Sequence, residues 1–123
     1  MLSIDDVNNL LDDISAGFPE EIFRDLNGGV CLLPESKRSA ADPYGRLYTL
    51  GEYRRDQMGR YIVIYYGSIC AVHGGDSPEK LRERLKKLLA HELTHHLESL
   101  SGERDLEIED KRKLKEYLFP DSY

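Results

Sequence analysis

The sequence predicts an α+β domain, in which a small mixed or antiparallel sheet of about three or four strands packs with one long helix and flanking helices. Apolar residues recur at helical spacing near both ends of the chain. Three short apolar runs lie between these helical segments and are joined by loops or turns, as neighbouring strands of one sheet are. With 123 residues, 40% of them hydrophobic, the chain can build one modest core, so we expect a single domain over residues 1–123.

Two helices are predicted before the sheet. Ser3 is a suitable N-cap for the first helix, and Gly17 is a suitable stop. Pro19 then begins a second, short helix with the sequence PEEIFRDL, which Asn27-Gly28-Gly29 ends. The helical spacing of the first helix rests on Ile4, Val7, Leu10, Leu11 and Ile14.

The next apolar runs are typical of strands. They cover Val30–Leu33, Leu47–Tyr53 and Tyr61–Tyr66. The third run is apolar on both faces, which is typical of a strand that helices cover. Ile69–Val72 is predicted to extend it after a bend at Gly67.

A long helix follows, with Ser77 as its N-cap and Pro78 in its first turn. One broad apolar stripe continues along it as far as Gly102, and Lys111–Leu118 is predicted to form a last helix. The stripe consists of Leu81, Leu85, Leu88, Leu89, Leu93, Leu97 and Leu100.

The long helix carries an H-E-x-x-H motif at His91, Glu92 and His95. Residues four apart lie on the same face of a helix, so both imidazoles can bind one tetrahedral ion such as zinc. Their flank avoids the leucine stripe and can face a cleft. Glu92 need not bind the ion, and it is placed to accept a proton from a metal-bound water and to pass it to the departing amine.

The segment LAHELTHHLESLSGERD, with the preceding strand YIVIYYG and the earlier FPEEIFRDLNGGVCLLPE, resembles the minimal zincin-like metallopeptidases of bacteria. The resemblance covers most of the chain, although only H-E-x-x-H is specific. It implies a zincin fold, a zinc site on the long helix and peptidase activity. It also implies that an extended peptide lies along a sheet edge, for which Tyr61–Val72 is the candidate.

The third zinc ligand departs from the pattern of these metallopeptidases. Many of them resemble HExxHxxGxxD, but Glu98 and Ser101 occupy the ungapped Gly and Asp positions here. Gly102-Glu103-Arg104-Asp105 repeats GxxD about one helical turn later, which makes Asp105 the first choice of ligand. The alternatives are Glu98, Glu107, Glu109, and a site with two protein ligands and waters.

Other candidate residues have plainer interpretations. His96 faces nearer the leucine stripe, so we expect it to be buried and hydrogen-bonded rather than to bind metal. His73 is expected in a surface loop, and Tyr65 and Tyr66 are expected in the core.

Charge and cysteine content limit the partners and the compartment. The net charge of −6 argues against nucleic acid and gives no basic surface for anionic membranes. The N-terminus lacks the features of a secretory signal, no apolar run is long enough for a membrane helix, and Cys31 and Cys70 are expected to be reduced and half-buried. A cytoplasmic protein is therefore predicted, with an undetermined oligomeric state.

These observations lead to two functional hypotheses. The first is a zinc-dependent metallopeptidase that hydrolyses peptide or protein substrates with Glu92 as general base. The second is a non-catalytic divalent-metal-binding module or interaction protein on the same fold. Glu92 favours the first, because a structural zinc site prefers four closed ligands and gains nothing from a neighbouring carboxylate that does not bind the ion.

Overall fold

The computed structural model describes residues 1–41 and 47–104, and within them it contains three α-helices and a three-stranded mixed sheet. The predicted α+β class is therefore confirmed. The last predicted helix, Lys111–Leu118, lies outside the described residues.

Helix α1 spans Ile4–Gly17 and begins as predicted at Ser3. The Ser3 hydroxyl accepts a hydrogen bond from the Asp6 backbone N–H at 3.1 Å, and the Asp6 carboxylate accepts one from the Ser3 N–H at 3.4 Å. This reciprocal pair satisfies N–H groups that have no partner within the helix. Val7, Leu11 and Ile14 are buried on its inner face.

The segment PEEIFRDL forms less helix than predicted. It contains only a 3₁₀ helix at Glu20–Phe23. Asp25 has a φ of 63°, a left-handed conformation that a helix cannot continue through. Ile22 and Leu26 nevertheless reach the core, so the turn still contributes apolar surface.

The sheet consists of β1 (Gly29–Leu33), β2 (Gly51–Asp56) and β3 (Gly59–Tyr65), in the order β1-β3-β2. β1 runs parallel to β3, and β2 pairs with β3 as an antiparallel hairpin. Strand β3 is thus central, so the prediction that Tyr61–Val72 supplies the substrate edge is wrong. Within the described residues, the edge strands are β1 and β2.

The predicted strand extension at Ile69–Val72 is also wrong, because helix α2 (Tyr66–His73) occupies this segment. The Gly67 N–H donates to the Glu35 carbonyl at 3.1 Å, and a Cβ on Gly67 would lie 2.6 Å from the Ser36 nitrogen. Ser68 is buried and accepts a hydrogen bond from the Lys37 N–H at 2.8 Å. These contacts draw the chain away from the sheet. A helix then satisfies the N–H and C=O groups of the backbone locally.

Helix α3 spans Pro78–Arg104 and is 27 residues long, which corresponds to about 40 Å. The Ser77 hydroxyl accepts a hydrogen bond from the Lys80 N–H at 3.2 Å, as expected of the N-cap, and the helix continues through Gly102. Among the described residues, no helix is both long and apolar enough to cross a membrane. The stripe is buried at Leu81, Leu85, Leu89, Leu93, Leu97 and Leu100, and half-buried at Leu88.

The core lies between α3 and the remaining elements. The leucines of α3 pack against Val7, Leu11 and Ile14 of α1 and against Ile62 and Ile64 of β3. This packing fixes the rotation of α3, so the helix face opposite its leucines is turned away from the core.

The two cysteines lie in different elements. Cys31 is in β1 and Cys70 is in α2, and both are half-buried free thiols. The prediction that they are unpaired packing residues agrees with this, although Cys70 lies in a helix instead of a strand.

Candidate metal and catalytic site

A cleft of about 710 Å³ lies between the middle of α3 and strand β2. The H-E-x-x-H motif faces it because the leucine stripe holds the other side of α3 to the core. The lining consists of Gly51, Glu52, Tyr53, His91, Glu92, His95, Glu98 and Ser99.

His91 and His95 are exposed and stand side by side on α3. Their Nε2 atoms are 3.1 Å apart, and their rings meet edge to face with centroids 4.6 Å apart. Two nitrogens that bind one tetrahedral zinc ion at 2.0–2.1 Å are about 3.3 Å apart. The two side chains therefore already have a separation that fits a shared ion.

Glu92 projects from the same stretch of helix but is buried, with only 5% of its surface exposed. Burial raises the pKa of its carboxyl group, while His91, His95 and a hydrogen bond from the Tyr53 backbone N–H act in the opposite direction. The net effect is a raised pKa. Such a carboxyl group is a stronger base than an exposed glutamate and can both accept and return a proton.

Glu52 contributes a second carboxylate to the cleft lining, but its surroundings keep it ionised. It forms ion pairs with Lys37 and with Arg54, whose Nε lies 3.0 Å from Glu52 Oε2. Burial raises the pKa of Glu52, but the hydrogen bonds from Lys37 and Arg54 outweigh this effect and hold the pKa below its usual range. Glu52 and Glu92 thus differ, since Glu52 is paired with two cations, whereas the pKa of Glu92 is raised.

Strand β2 forms the wall opposite α3. The Tyr65 N–H donates to the Leu50 carbonyl at 2.9 Å, and opposed residues of an antiparallel pair alternate between hydrogen-bonded and non-hydrogen-bonded positions. In the observed register, this alternation points the backbone N–H and C=O groups of Gly51 and Tyr53 away from β3. They lie on the free edge of the described sheet, where the cleft is.

His96 is fully buried and hydrogen-bonded on both nitrogens, so the prediction for it is confirmed. Its Nε2 lies 2.7 Å from the Arg24 carbonyl oxygen, and its Nδ1 lies 2.9 Å from the Tyr53 hydroxyl. Burial lowers the pKa of His96, with a smaller contribution from the Arg60 guanidinium, although the Arg24 carbonyl acts in the opposite direction. His96 is therefore neutral and holds α3 to β2 and to the 3₁₀ segment.

The remaining candidates lie outside the cleft lining. His73 is the last residue of α2, is half-buried, and has its Nδ1 3.4 Å from an Asp76 carboxylate oxygen. Tyr65 is buried as expected, whereas Tyr66 is half-buried and donates its hydroxyl to the Leu2 carbonyl.

The third ligand is not found among the described residues. Glu98 lines the cleft, but among the described side chains of residues 1–41 and 47–102 no three His, Cys, Asp or Glu side chains are arranged to hold a metal ion. Asp105, Glu107 and Glu109 lie outside the described residues. The choice of Asp105 therefore remains a prediction.

A solved structure described as a conserved hypothetical protein from Thermo thermophilus is similar to this chain. The two are 30% identical, the match covers 81% of this chain and 98% of the other, and the TM-score is 0.68. This chain belongs to the same family as that protein. No family model and no curated protein matches the chain. The description of the Thermo thermophilus protein names no activity.

In this member of the family, sequence reasoning missed the β2 side of the cleft. Gly51, Glu52 and Tyr53 all fall in or at the end of a run that was predicted as a strand, but nothing in that run shows which strand lies at the edge. The available signal was the short Asp56–Gly59 connection. It predicts a hairpin and so allows β2 to occupy an edge beside β3.

Proposed function

We propose that this protein is a zinc-dependent peptidase. The observation that carries the proposal is the pairing of two exposed imidazoles, with Nε2 atoms 3.1 Å apart, beside the buried Glu92 in one cleft. His91 and His95 would hold the ion. A zinc ion bound there would supply a Lewis acid that lowers the pKa of water toward about 7.

Glu92 would act as general base and then as general acid. Its carboxylate accepts a proton from the water whose oxygen attacks the peptide carbonyl carbon. When the C–N bond breaks, the same group delivers the proton to the departing amine nitrogen. The position of Glu92 in the cleft wall, next to His91 and held by the Tyr53 N–H, supports both steps.

An extended peptide would lie along the edge of β2. The backbone groups of Gly51 point toward the cleft and can pair with a substrate backbone, which gives affinity without sequence preference. Tyr53 offers its carbonyl, since its N–H is already bound to Glu92. This replaces the edge that the sequence suggested.

The variant Glu92→Gln tests the proposal. It keeps size and most hydrogen bonding but removes the base, so zinc content and fold should be unchanged while hydrolysis of a broad peptide library falls by about 10²–10⁴. Glu83→Gln is the matched control, because it makes the same change at an exposed position of α3. Zinc content is measured by metal analysis and turnover by mass spectrometry.

Two outcomes would overturn the proposal. Equal turnover by the wild type and Glu92→Gln would remove Glu92 from the mechanism. No turnover by either, with zinc bound, would instead support the non-catalytic metal-binding module.

A further inference from the structure

The H-E-x-x-H-H stretch places two buried polar side chains one helical turn apart. Glu92 and His96 are separated by four residues, so they lie on the same face of α3 and are 5% and 0% exposed. Both contact Tyr53 of β2, Glu92 through the Tyr53 backbone N–H and His96 through the Tyr53 hydroxyl. One residue of the opposite cleft wall is therefore held at two points.

The hydrogen bonds around His96 have a single consistent direction. The Arg24 carbonyl can only accept, so Nε2 of His96 carries the proton and donates to it. In the neutral ring Nδ1 then accepts from the Tyr53 hydroxyl, whose oxygen in turn accepts from Arg60 Nη1 at 3.1 Å. Arg60 Nη1 also donates to Ser99 at 2.5 Å, which joins β3 to α3 beside the same hydroxyl.

Strand β2 needs such an attachment because it lies at the edge of the described sheet. Within residues 1–41 and 47–104 only β3 pairs with it, and the Tyr53 N–H points away from β3 toward the free edge. The ladder therefore does not fix the distance between Tyr53 and α3. The contact of Tyr53 with His96, whose rings are 5.3 Å apart, spans that gap.

We propose that His96 is a positioning residue for Glu92: through the Tyr53 hydroxyl it holds β2 against α3 and so keeps the Tyr53 N–H on the Glu92 carboxylate. The carboxylate is thereby held in one orientation in the cleft. The consequence for turnover rests on the proposed peptidase function, whereas the positioning itself does not.

The test compares Tyr53→Phe with Tyr66→Phe. Tyr53→Phe removes the hydroxyl but keeps the ring and the backbone N–H. Tyr66→Phe is the matched control, because it also removes a hydroxyl that donates to a fixed acceptor, the Leu2 carbonyl at 2.5 Å, but does so away from the cleft. Both are milder than substitution of the fully buried His96.

The first readout is hydrogen exchange of the residue 53 amide, followed by NMR in the metal-free full-length protein. In Tyr53→Phe the hydroxyl no longer supports the hydrogen bond from this amide to the charged Glu92 carboxylate. Weakening that bond should make the amide exchange about tenfold faster. Amides of β2 that pair with β3, such as that of Glu52, should change much less, and Tyr66→Phe should not single out residue 53. A loss of global stability alone would not produce this selectivity.

The second readout compares the change in kcat with the change in KM for peptide substrates. In Tyr53→Phe, kcat should fall by up to about 10² and by a larger factor than KM rises, because a small misplacement of the base affects the reaction more than binding. The exchange experiment needs no turnover, so a protein without peptidase activity would defeat the proposed function and still report on positioning.

Unchanged exchange at residue 53 in Tyr53→Phe would overturn the positioning role. An equal increase in both variants would overturn it as well, since it would reflect stability alone. If the protein hydrolyses peptides, Tyr53→Phe could speed amide exchange at residue 53 alone and leave kcat unchanged. That result would remove the link between this contact and catalysis.

Discussion

Four ionisable side chains within six consecutive residues have two opposite environments. His91 and His95 are exposed on the cleft wall, whereas Glu92 and His96 are buried. Each pair is spaced by four residues, so each occupies one face of α3. The exposed pair can meet a ligand from solvent, and the buried pair is bound by the protein. One helical segment thus provides both a binding surface and its internal support.

The buried His96 should make stability depend on pH. Burial lowers the pKa of His96 below its ordinary value of about 6.5. As pH falls below about 6.5, the unfolded chain binds a proton that the folded chain does not, so the free energy of unfolding falls. The stability that neutral His96 contributes is fully present above about pH 6.5. It is lost as the pH falls from there toward the lower pKa that His96 has in the folded protein.

Urea denaturation of the metal-free protein at about pH 7.5 and about pH 5.5 measures this effect. His96→Gln should lose stability at both pH values but should show a smaller difference between them. The same pH difference in the two proteins would assign the effect to another group.

The third zinc ligand gives a second residue-scale prediction. Asp105→Ala should weaken zinc binding by on the order of tenfold or more, and Glu98→Ala should do less. The reason is that Glu98 lines the cleft but does not form a three-ligand group with His91 and His95 within the described residues. Competition with a zinc-binding dye measures both affinities, and a larger effect of Glu98→Ala would reverse the ranking.

At the scale of elements, sequence patterns predicted what depends on one segment alone. The N-cap at Ser3 and the leucine stripe of α3 are local, and so is the spacing that places His91 beside His95. The β2 wall of the cleft was missed because it depends on strand order, and only the short Asp56–Gly59 connection bears on that order. The helix at Ile69–Val72 was missed because Ile and Val favour strands, while the contacts of Gly67 with Glu35 and Ser36 decide the outcome.

Gly67 should therefore tolerate no side chain. A Cβ there would lie 2.6 Å from the Ser36 nitrogen and 2.8 Å from the Glu35 carbonyl carbon, and backbone atoms cannot move aside as a flexible side chain can. Gly67→Ala should lower the free energy of unfolding by about 1–3 kcal/mol. Gly75→Ala is the control, since its Cβ would meet nothing within 4 Å. Denaturant unfolding compares the two, and equal stabilities would contradict the assigned close approach.

At the scale of the whole molecule, the cleft and the core share helix α3. Six leucines of α3 are buried, and five of them belong to one cluster with residues of α1, β3 and the 3₁₀ segment. Because this apolar packing is extensive, we expect the fold to persist when the ion is removed, in contrast to small domains that zinc folds.

Removing zinc should accordingly lower the melting temperature but leave the far-ultraviolet helix signal largely intact. The shift follows from the loss of a ligand that binds only the folded state. Circular dichroism with and without EDTA measures both quantities, and His91→Ala should show a smaller EDTA-dependent shift. Complete unfolding on chelation would point to a structural metal instead.

The order of strands also bears on when the site forms during folding. β2 and β3 are joined by a two-residue turn and can pair early, whereas β1 must close the loop over residues 34–58 before it reaches β3. His91 and His95 need only a formed α3, but the contact of Glu92 with Tyr53 needs the hairpin docked on that helix. A newly made chain would therefore bring His91 and His95 together before Glu92 is held, so the proposed ion site would form before the proposed base is in place.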